Sequence, residues 1–314
     1  MTSRPKRPKR PTSRGPGQVV PDLKKRIRDF STSVIVKFWR LRLVPSRRPP
    51  FITRRYSWRG RRRMLKALGP DLGAEVSWVA SDGPLPDGEM ASIFASTPNV
   101  NKNLHYLPVY ESALSPFRSR PIRMMEIGVD RGGSMQMWRR YLHPESVIVG
   151  IDVRPKARRF DEPSQRLYVR IGRQEDISFL QSVVTELGPF DVILDDGSHL
   201  TSHMVQTFRY LFPNGLASGG IYIVEDIGAN YCKPFRDSPM TFVDFTKWLI
   251  DAMHAPCQAK NWEPRHNLVG DPHRLMEFCV PLATTLIEKV EFYDSIALIH
   301  RANGRREVPR GVYQ

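Results

Sequence analysis

Hydrophobic residues in the middle of the chain occur in short, β-branched runs separated by longer stretches with helical spacing. The runs predict strands at residues 122–128, 147–153, 167–171, 190–194 and 221–224. The stretches between them predict helices at residues 134–142, 176–187 and 200–212. Runs without polar alternation are typical of strands covered on both faces. Strands that alternate with helices in this way predict a doubly wound, Rossmann-like α/β sheet.

The chain on either side of this pattern predicts a helical lid and a closing hairpin. Residues 87–95 and 104–117 have helical spacing upstream of the sheet, and we expect them to cover it as a lid. Downstream, a predicted helix at residues 242–253 is followed by hydrophobic runs at residues 290–293 and 296–300. Two residues separate these runs, so they predict an antiparallel C-terminal hairpin.

The distribution of charge divides the chain near residue 68. Residues 1–68 carry 22 Lys and Arg against two acids, a net charge of +20, whereas the remainder carries −4. The basic segment mixes charge with aromatic residues, and we expect it to be largely disordered or to associate with a surface. An anionic membrane surface or an acidic partner is favoured over nucleic acid. We therefore expect a tail at residues 1–68, a helical lid region at residues 69–120 and a catalytic domain at residues 121–314.

Cysteine usage and hydropathy place the protein in a reducing compartment. Cys232, Cys257 and Cys279 are odd in number and have no CxxC spacing, so neither a disulfide framework nor a zinc site is indicated. No apolar run approaches the roughly 18 residues needed to span a bilayer, and the N-terminus lacks the apolar core of a secretory signal. We expect a cytoplasmic protein, peripheral at a membrane if the tail binds one. Homo-oligomerisation is a hypothesis that the sequence leaves open.

Two predicted strands end in acidic residues. Residues 190–200, FDVILDDGSHL, deliver Asp195, Asp196 and His199 at the carboxyl end of a strand, and residues 221–226 end in a second acidic pair. Ligands bind at the carboxyl ends of parallel strands, so these groups predict a site. An alternative is that Ser198 or Asp196 only caps the next helix. The second acidic pair favours a cation site, which neither strand end could form alone.

The first predicted strand leads into EIGVDRGGS, an ExGxxxGG loop at residues 126–134, and Asp152 ends the next strand. This loop resembles that of class I S-adenosylmethionine-dependent methyltransferases, whose glycines let the backbone approach the cofactor. A wider set of segments makes the resemblance more specific. LHYLPVYE, EIGVDRGGSMQMW, VGIDVRP, GRQEDISFL, FDVILDDGSHLTSHMVQTFRYLFP, GGIYIVEDIGANY and VEFYDSIALI resemble the actinobacterial, metal-dependent macrolide and rhamnosyl sugar O-methyltransferases, over residues 104–302.

The resemblance implies a Mg2+-assisted methyl transfer from S-adenosylmethionine to a hydroxyl of a sugar on a glycosylated natural product or glycolipid. It implies His199 as the general base and, as magnesium ligands, Asp196, Glu225 and Asp226. Carboxylates are ligands that Mg2+ prefers, and a nearby histidine can accept a proton from the acceptor hydroxyl. The implied cofactor residues are Glu126, Gly128 and Ser134 at the methionine end, Asp152 on the ribose, and Gln174 with Asp176 near the adenine. Asp195 is expected to serve the cofactor or the fold.

The sequence departs from the resembled pattern at two places. Arg173 stands where relatives have an acid, which changes the expected adenine edge. Residues 227–231, IGANY, replace a segment with more polar groups, and this loop borders the acceptor pocket in relatives.

His105, Tyr106 and Tyr110 lie on the second lid helix, where their type and spacing favour packing over a role in a site.

Three other functions remain as alternatives. A hydroxylase-type relative would need two histidines and a carboxylate around iron, and His199, His203 and Asp196 are the candidates. A non-catalytic binding protein with a degenerate methyltransferase fold would fit the basic tail and the altered loop. An RNA methyltransferase would use the tail on phosphates, although an acidic site without a metal does not suit a polyanion.

Overall fold

The structure, a computed structural model, describes residues 58–77, 84–258 and 279–307. The expectations of disorder or surface association for residues 1–57 therefore lie outside the described residues, and so does the side chain of Cys257. The described residues begin with helix α1 (Trp58–Leu72), which lies at the end of the basic segment. The sequence pattern did not predict this helix. Gly69, with a φ of 76°, and Pro70 kink this helix, so its local signal was that of a break.

Within the described residues, seven strands form one sheet with the order β3-β2-β1-β4-β5-β7-β6. The first five strands are parallel, and β7 runs antiparallel to both β5 and β6. The prediction of a doubly wound sheet closed by a C-terminal hairpin is therefore confirmed. The strands are β1 (Arg123–Ile127), β2 (Val147–Asp152), β3 (Leu167–Ile171), β4 (Phe190–Asp195), β5 (Leu216–Val224), β6 (Ile287–Tyr293) and β7 (Ile296–Arg301).

The helices between the strands lie where the hydrophobic spacing predicted them, within one or two residues. After α1 the described helices are α2 (Glu89–Ser96), α3 (Leu107–Leu114), α4 (Gly133–Tyr141), α5 (Ile177–Leu187), α6 (Thr201–Asn214), α7 (Phe242–Met253), α8 (Ala255–Gln258) and α9 (Leu282–Leu286). Short 3-10 turns flank α3 on both sides, so the predicted helix at residues 104–117 is divided into three pieces. Among the described helices, none combines the length and hydropathy needed to cross a bilayer.

The two faces of the sheet carry two hydrophobic clusters. One contains Trp138 of α4 with residues of α2 and α3, including Met90 and Tyr110, and all three of these side chains are fully buried. Tyr110 and Trp138 pack edge to face with ring centroids 5.3 Å apart. The predicted lid helices are thus part of the core on this face. The other cluster holds α6 and α7 against the sheet through aromatic contacts centred on Phe208.

Strand register brings the functional segments to one edge. Ile127 of β1 pairs with Asp195 of β4, and Asp195 pairs with Val224 of β5. The residues that follow these three positions therefore leave the sheet side by side at the carboxyl ends of parallel strands. The glycine loop after β1, the DDGSH segment after β4 and the acidic pair after β5 meet there.

Candidate active site

Carboxylates from two neighbouring strand ends form the acidic part of the site. Glu225 is 2% exposed, and Asp196 and Asp226 are partly exposed. Gly128 lies beside them with a φ of 99°, and a Cβ atom there would lie 2.2 Å from the carbonyl oxygen of Asp196. A side chain at position 128 would therefore collide with the backbone of the DDGSH segment, which explains the need for glycine.

A lysine that the sequence pattern did not single out lies among these acids. The side chain of Lys102, from the segment between α2 and α3, is 1% exposed. Its Nζ lies 2.6 Å from Asp196 Oδ2 and 2.8 and 3.0 Å from the two carboxylate oxygens of Glu225. Glu126 Oε1 is 3.7 Å away. Lys102 is a cation held by two of the predicted metal ligands and close to a predicted cofactor residue.

Burial and charge shift the pKa values of these groups in opposite directions. Burial raises the pKa of Glu225 and of Asp196 above their usual range, and the ammonium of Lys102 opposes the rise in both. Burial alone would lower the pKa of Lys102, but the charges of Asp196, Glu225 and Glu126 raise it well above its ordinary value. The site thus stabilises a positive charge strongly, as expected for several carboxylates withdrawn from water.

His199 faces the same acids from the turn before α6. Its Nε2 lies 3.9 Å from Asp196 Oδ1 and 3.8 Å from Asp226 Oδ2. Ligand atoms of these three residues all lie within 4.8 Å of one another, a spacing that one metal ion could bridge. Of the three predicted metal ligands, this group contains Asp196 and Asp226, whereas Glu225 faces Lys102. The predicted base is the third member of the group.

The backbone of His199 is held in an uncommon conformation. Its φ is 57°, in the left-handed region, where a non-glycine residue needs support from its surroundings. Asn230, fully buried in the altered 227–231 loop, donates from Nδ2 to the carbonyl oxygen of His199 at 2.8 Å. Its Oδ1 accepts from the backbone N–H of Phe242 at 2.9 Å. The loop expected to border the acceptor pocket therefore also fixes the predicted base.

Tyr106 is a second residue whose role the sequence left unrecognised. Packing was the favoured interpretation, and its ring is indeed buried. Its hydroxyl, however, donates to Asp226 Oδ1 at 2.8 Å and also lies 3.1 Å from the carbonyl oxygen of Ser295. Asn103 donates to the same carboxylate oxygen at 3.2 Å. These bonds leave Oδ2 of Asp226 facing His199, so the lid region orients one of the predicted ligands.

Glu126 and Ser134 lie together at the predicted methionine end of the cofactor site. Ser134 donates from Oγ to Glu126 Oε2 at 2.8 Å, and Glu126 is fully buried. Glu126 Oε1 is buried without a hydrogen bond. A buried carboxylate oxygen without a hydrogen bond is costly even with the Lys102 ammonium 3.7 Å away, so this atom fits a ligand group that donates a hydrogen bond. With the cradle at Gly128, these residues fit an S-adenosylmethionine site.

Asp152, the predicted ribose acceptor, ends β2 and has both carboxylate oxygens bonded. Oδ2 accepts from the backbone N–H groups of Val129 and Asp130, at 3.1 and 3.0 Å. Arg154 donates to Oδ1 from its backbone N and Nε, at 2.8 and 3.1 Å. Burial opposes ionisation of Asp152, but the bonds from Arg154 outweigh it and hold its pKa below the usual range. Asp152 is thus an ionised acceptor that binds the glycine loop.

Of the three remaining predicted cofactor residues, two connect the segments at the strand ends and the third caps a helix. Gln174 donates to Asp195 at 3.1 Å and accepts from the backbone N–H of Ser198 at 2.7 Å. Burial raises the pKa of Asp195 to about 6. Asp176 is exposed and caps α5 by accepting from two backbone N–H groups, at 3.0 and 3.2 Å. An adenine contact for Gln174 and Asp176 stays a prediction.

The alternative in which DDGSH only caps a helix is wrong. Leu200, the residue before α6, makes no side-chain cap, and the backbone N–H of Ser202 in the first turn donates to Asp237 at 3.1 Å. Ser198 Oγ lies 2.9 Å from Nδ1 of His203 instead, and His203 Nδ1 is 3.5 Å from Glu175. Among the described residues, His203 is not part of the group formed by Asp196, His199 and Asp226. The geometry gives no support to a two-histidine iron site.

Comparison with known proteins identifies relatives among sugar methyltransferases. The chain is 36% identical over 183 residues to 8-demethyl-8-alpha-L-rhamnosyl tetracenomycin-C 2'-O-methyltransferase of Streptomyces olivaceus, a match covering 54% of this chain and 47% of that protein. It is 31% identical over 220 residues to mycinamicin VI 2''-O-methyltransferase of Micromonospora griseorubida, covering 66% and 51%. The chain thus spans about half the length of these curated relatives. No protein-family model matches it.

Comparison with solved structures also finds a methyltransferase. The MycE methyltransferase from the mycinamycin biosynthetic pathway, in complex with Mg and SAH, is 28% identical and superposes with a TM-score of 0.56. The superposition covers 70% of this chain and 55% of that one. Sequence and structure therefore agree that the chain has the class I S-adenosylmethionine-dependent methyltransferase fold and resembles the metal-dependent macrolide and rhamnosyl sugar O-methyltransferases.

Proposed function

We propose that the protein transfers a methyl group from S-adenosylmethionine to a hydroxyl of a sugar on a glycosylated natural product or glycolipid, with the help of Mg2+. The observation that carries the proposal is the meeting of Asp196, Asp226 and His199 at the carboxyl edge of a methyltransferase sheet. The relatives that are similar to this chain in sequence are named as O-methyltransferases of glycosylated compounds. The acceptor class is taken from those names.

The residues around the site divide between the two proposed cofactors. S-adenosylmethionine would supply the methyl group, and Glu126, Gly128, Ser134 and Asp152 would hold it along the glycine loop. Bound Mg2+ would lower the pKa of an acceptor hydroxyl. Carboxylate oxygens from the ends of the two strands would hold the ion. The two positions are contiguous, since Lys102 Nζ reaches both Glu126 and the strand-end acids.

His199 is proposed as the general base. Its Nε2 points toward the acids, and its side chain is 10% exposed, so the imidazole is largely screened from bulk water. S-adenosylmethionine would supply the methyl carbon to the acceptor oxygen, and Nε2 of His199 would accept the hydroxyl proton. Asn230 and the turn that it braces hold the imidazole while this happens.

The chain outside the site is assigned from its sequence. We propose that the chain consists of a basic tail at residues 1–68, a lid region at residues 69–120 and a methyltransferase domain at residues 121–314. The net charge of +20 supports a tail that binds an anionic membrane surface or an acidic partner. Co-sedimentation with phosphatidylserine vesicles tests the membrane binding, and loss of binding on removing residues 1–57 is the expected result. Sedimentation velocity tests homo-oligomerisation.

Release of S-adenosylhomocysteine tests the proposed reaction. The purified chain is incubated with S-adenosylmethionine, Mg2+ and a panel of rhamnosyl and deoxysugar glycosides, with the matching aglycones as controls. We expect release with at least one glycoside, none with its aglycone, and loss of release after chelation. Calorimetry with S-adenosylmethionine separates the alternatives, since a non-catalytic protein with a degenerate fold would show no binding. Binding without turnover on any glycoside would contradict the acceptor class.

A further inference from the structure

Lys102 holds oxygen atoms of two of the three proposed metal ligands. Its Nζ contacts Asp196 Oδ2 at 2.6 Å and both oxygens of Glu225, at 2.8 and 3.0 Å. Three contacts from oxygen atoms of two strands are what a small bridging cation would make. Mg2+ binds carboxylate oxygens at about 2.0–2.1 Å, so an ion bridging the same oxygens would overlap the ammonium group.

The electrostatics also allow one cation at a time in this position. Glu225 is buried beside Glu126, Asp196 next to them is only partly exposed, and carboxylates withdrawn from water in this way require a countercharge. Lys102 supplies one positive charge on a tether. A divalent ion would supply two, and it would repel an ammonium group held within 3 Å of the same oxygens. Filling the position with Mg2+ therefore requires the lysine to leave.

The remaining ligands explain how the metal could arrive before the lysine leaves. Asp196 uses Oδ2 for Lys102, while its Oδ1 faces His199 at 3.9 Å. Asp226 has Oδ2 facing the same imidazole at 3.8 Å, and its other oxygen is held by Tyr106. Two carboxylate oxygens are thus free of the lysine, whereas Glu225 gives both of its oxygens to it. Glu225 can become a metal ligand only after Lys102 moves.

The segment that carries Lys102 is irregular rather than part of a helix. It lies between α2 and the 3-10 turn that begins at Leu104. Its start packs on the glycine loop so closely that a Cβ atom on Gly133 would lie 2.3 Å from the carbonyl carbon of Asn99. Asn103 holds its other end at Asp226. Movement of the lysine side chain can therefore occur while both ends of the segment stay in place.

We propose that Lys102 is a tethered counter-cation that neutralises Asp196 and Glu225 in the metal-free protein and is displaced when a divalent cation binds. The inference rests on the metal site of the proposed function. It assigns Lys102 as a positioning residue that keeps the acids in place and lowers the affinity for Mg2+. The apparent affinity of a ligand falls by the fraction of protein in the competent state, so removal of the competing group raises it.

Calorimetric titration of Mg2+ into the metal-free full-length chain tests the competition. Lys102→Met keeps an apolar stem of similar length and removes the ammonium, and we expect Mg2+ to bind about tenfold more tightly or better, since tenfold requires only about 1.4 kcal/mol of competition. Lys247→Met is the control, because Lys247 is 65% exposed on α7 and its removal should leave the Mg2+ affinity unchanged. Damage to the site would weaken Mg2+ binding, whereas loss of a competitor strengthens it.

A measurement on the wild-type chain covers the case in which Lys102→Met does not fold. Native acylation of lysines followed by peptide mass spectrometry should find Lys102 protected without Mg2+ and modified several-fold faster at saturating Mg2+. Lys247 serves as the internal control and should react equally in both conditions. Protection of Lys102 that is unchanged by bound Mg2+ would overturn the proposal, as would equal or weaker Mg2+ binding by a folded Lys102→Met variant.

The two proposals fail in different ways. If neither protein binds Mg2+ but the wild type still releases S-adenosylhomocysteine, the counter-cation proposal and the metal are wrong and methyl transfer stands. If Mg2+ binds more tightly to Lys102→Met but no glycoside is methylated, the competition stands and the acceptor assignment fails.

Discussion

Replacing Asn230 tests whether the altered loop after β5 holds the predicted base. The side chain is fully buried and uses both ends of its amide, donating to the His199 carbonyl at 2.8 Å and accepting from the Phe242 N–H at 2.9 Å. Asn230→Leu fills a similar volume but can make neither bond. The carbonyl of His199 and the N–H that begins α7 would both lose their partners in a buried environment.

The expected loss follows from these two bonds. Leaving a buried polar group unpaired costs about 1–3 kcal/mol, so the loss of both partners should lower the free energy of unfolding by about 2–6 kcal/mol. The left-handed backbone of His199 depends on the same support, and a displaced imidazole should lower kcat about tenfold or more. Asn214→Leu is the matched control, because Asn214 makes an exposed bond to the Tyr210 carbonyl at 2.8 Å and should change stability by less than about 0.5 kcal/mol.

Urea denaturation at constant pH gives the free energies, and S-adenosylhomocysteine release gives kcat. Asn230→Asp separates the two bonds, since it retains the acceptor for Phe242 but turns the donor toward His199 into an acceptor. We expect its kcat to fall as far as that of Asn230→Leu. A value for Asn230→Leu within error of Asn214→Leu, in both stability and kcat, would refute the proposed role of the loop.

Two further predictions concern the glycine loop and the edge hairpin. Gly128→Ala should weaken S-adenosylmethionine binding at least tenfold in calorimetry, because its Cβ atom would lie 2.2 Å from the Asp196 carbonyl oxygen. Gly304→Ala is the control, since Gly304 also has a positive φ, 94°, but nothing within 4 Å of an added Cβ atom, and its binding should be unchanged. Equal effects of the two substitutions would implicate backbone strain alone. Burial lowers the pKa of His300, so below about pH 6.5 the unfolded chain binds a proton that the folded chain resists, and stability should fall as pH drops from 7.5 to 5. The His300→Gln variant should lose less stability than the wild type over this pH range. Glu291, with a pKa of about 2, stays ionised throughout and does not contribute to the difference. Equal losses of stability in the wild type and the variant would contradict the role given to His300.

The strands and the C-terminal hairpin could be predicted because each depends on a local pattern. β-branched runs identify strands, and the run at residues 296–300 after a two-residue break identifies the hairpin. The acids at the ends of β4 and β5 were also readable, since parallel strands bring their carboxyl ends to one edge. Helix α1 was missed because its basic composition and the Gly69–Pro70 break resemble a tail.

The lid residues in the site could not be predicted from local patterns. Lys102 is 94 residues from Asp196 and 123 from Glu225 along the chain, and nothing near it in sequence marks it as buried. Tyr106 has the same difficulty, since an aromatic side chain on a packed helix gives no sign of where its hydroxyl will point. Such contacts depend on how the lid packs over the sheet, which the spacing of its own residues does not determine.

The rate of methyl transfer by a His199→Ala variant tests the central claim most directly. With an accepted glycoside, saturating Mg2+ and saturating S-adenosylmethionine, loss of a general base should lower the single-turnover rate by about 10²–10⁴-fold. Binding of S-adenosylmethionine should be unchanged, because His199 lies on the acid side of the site and Asn230 holds only its backbone. A His199→Ala variant that turned over at the wild-type rate would contradict the proposed chemistry.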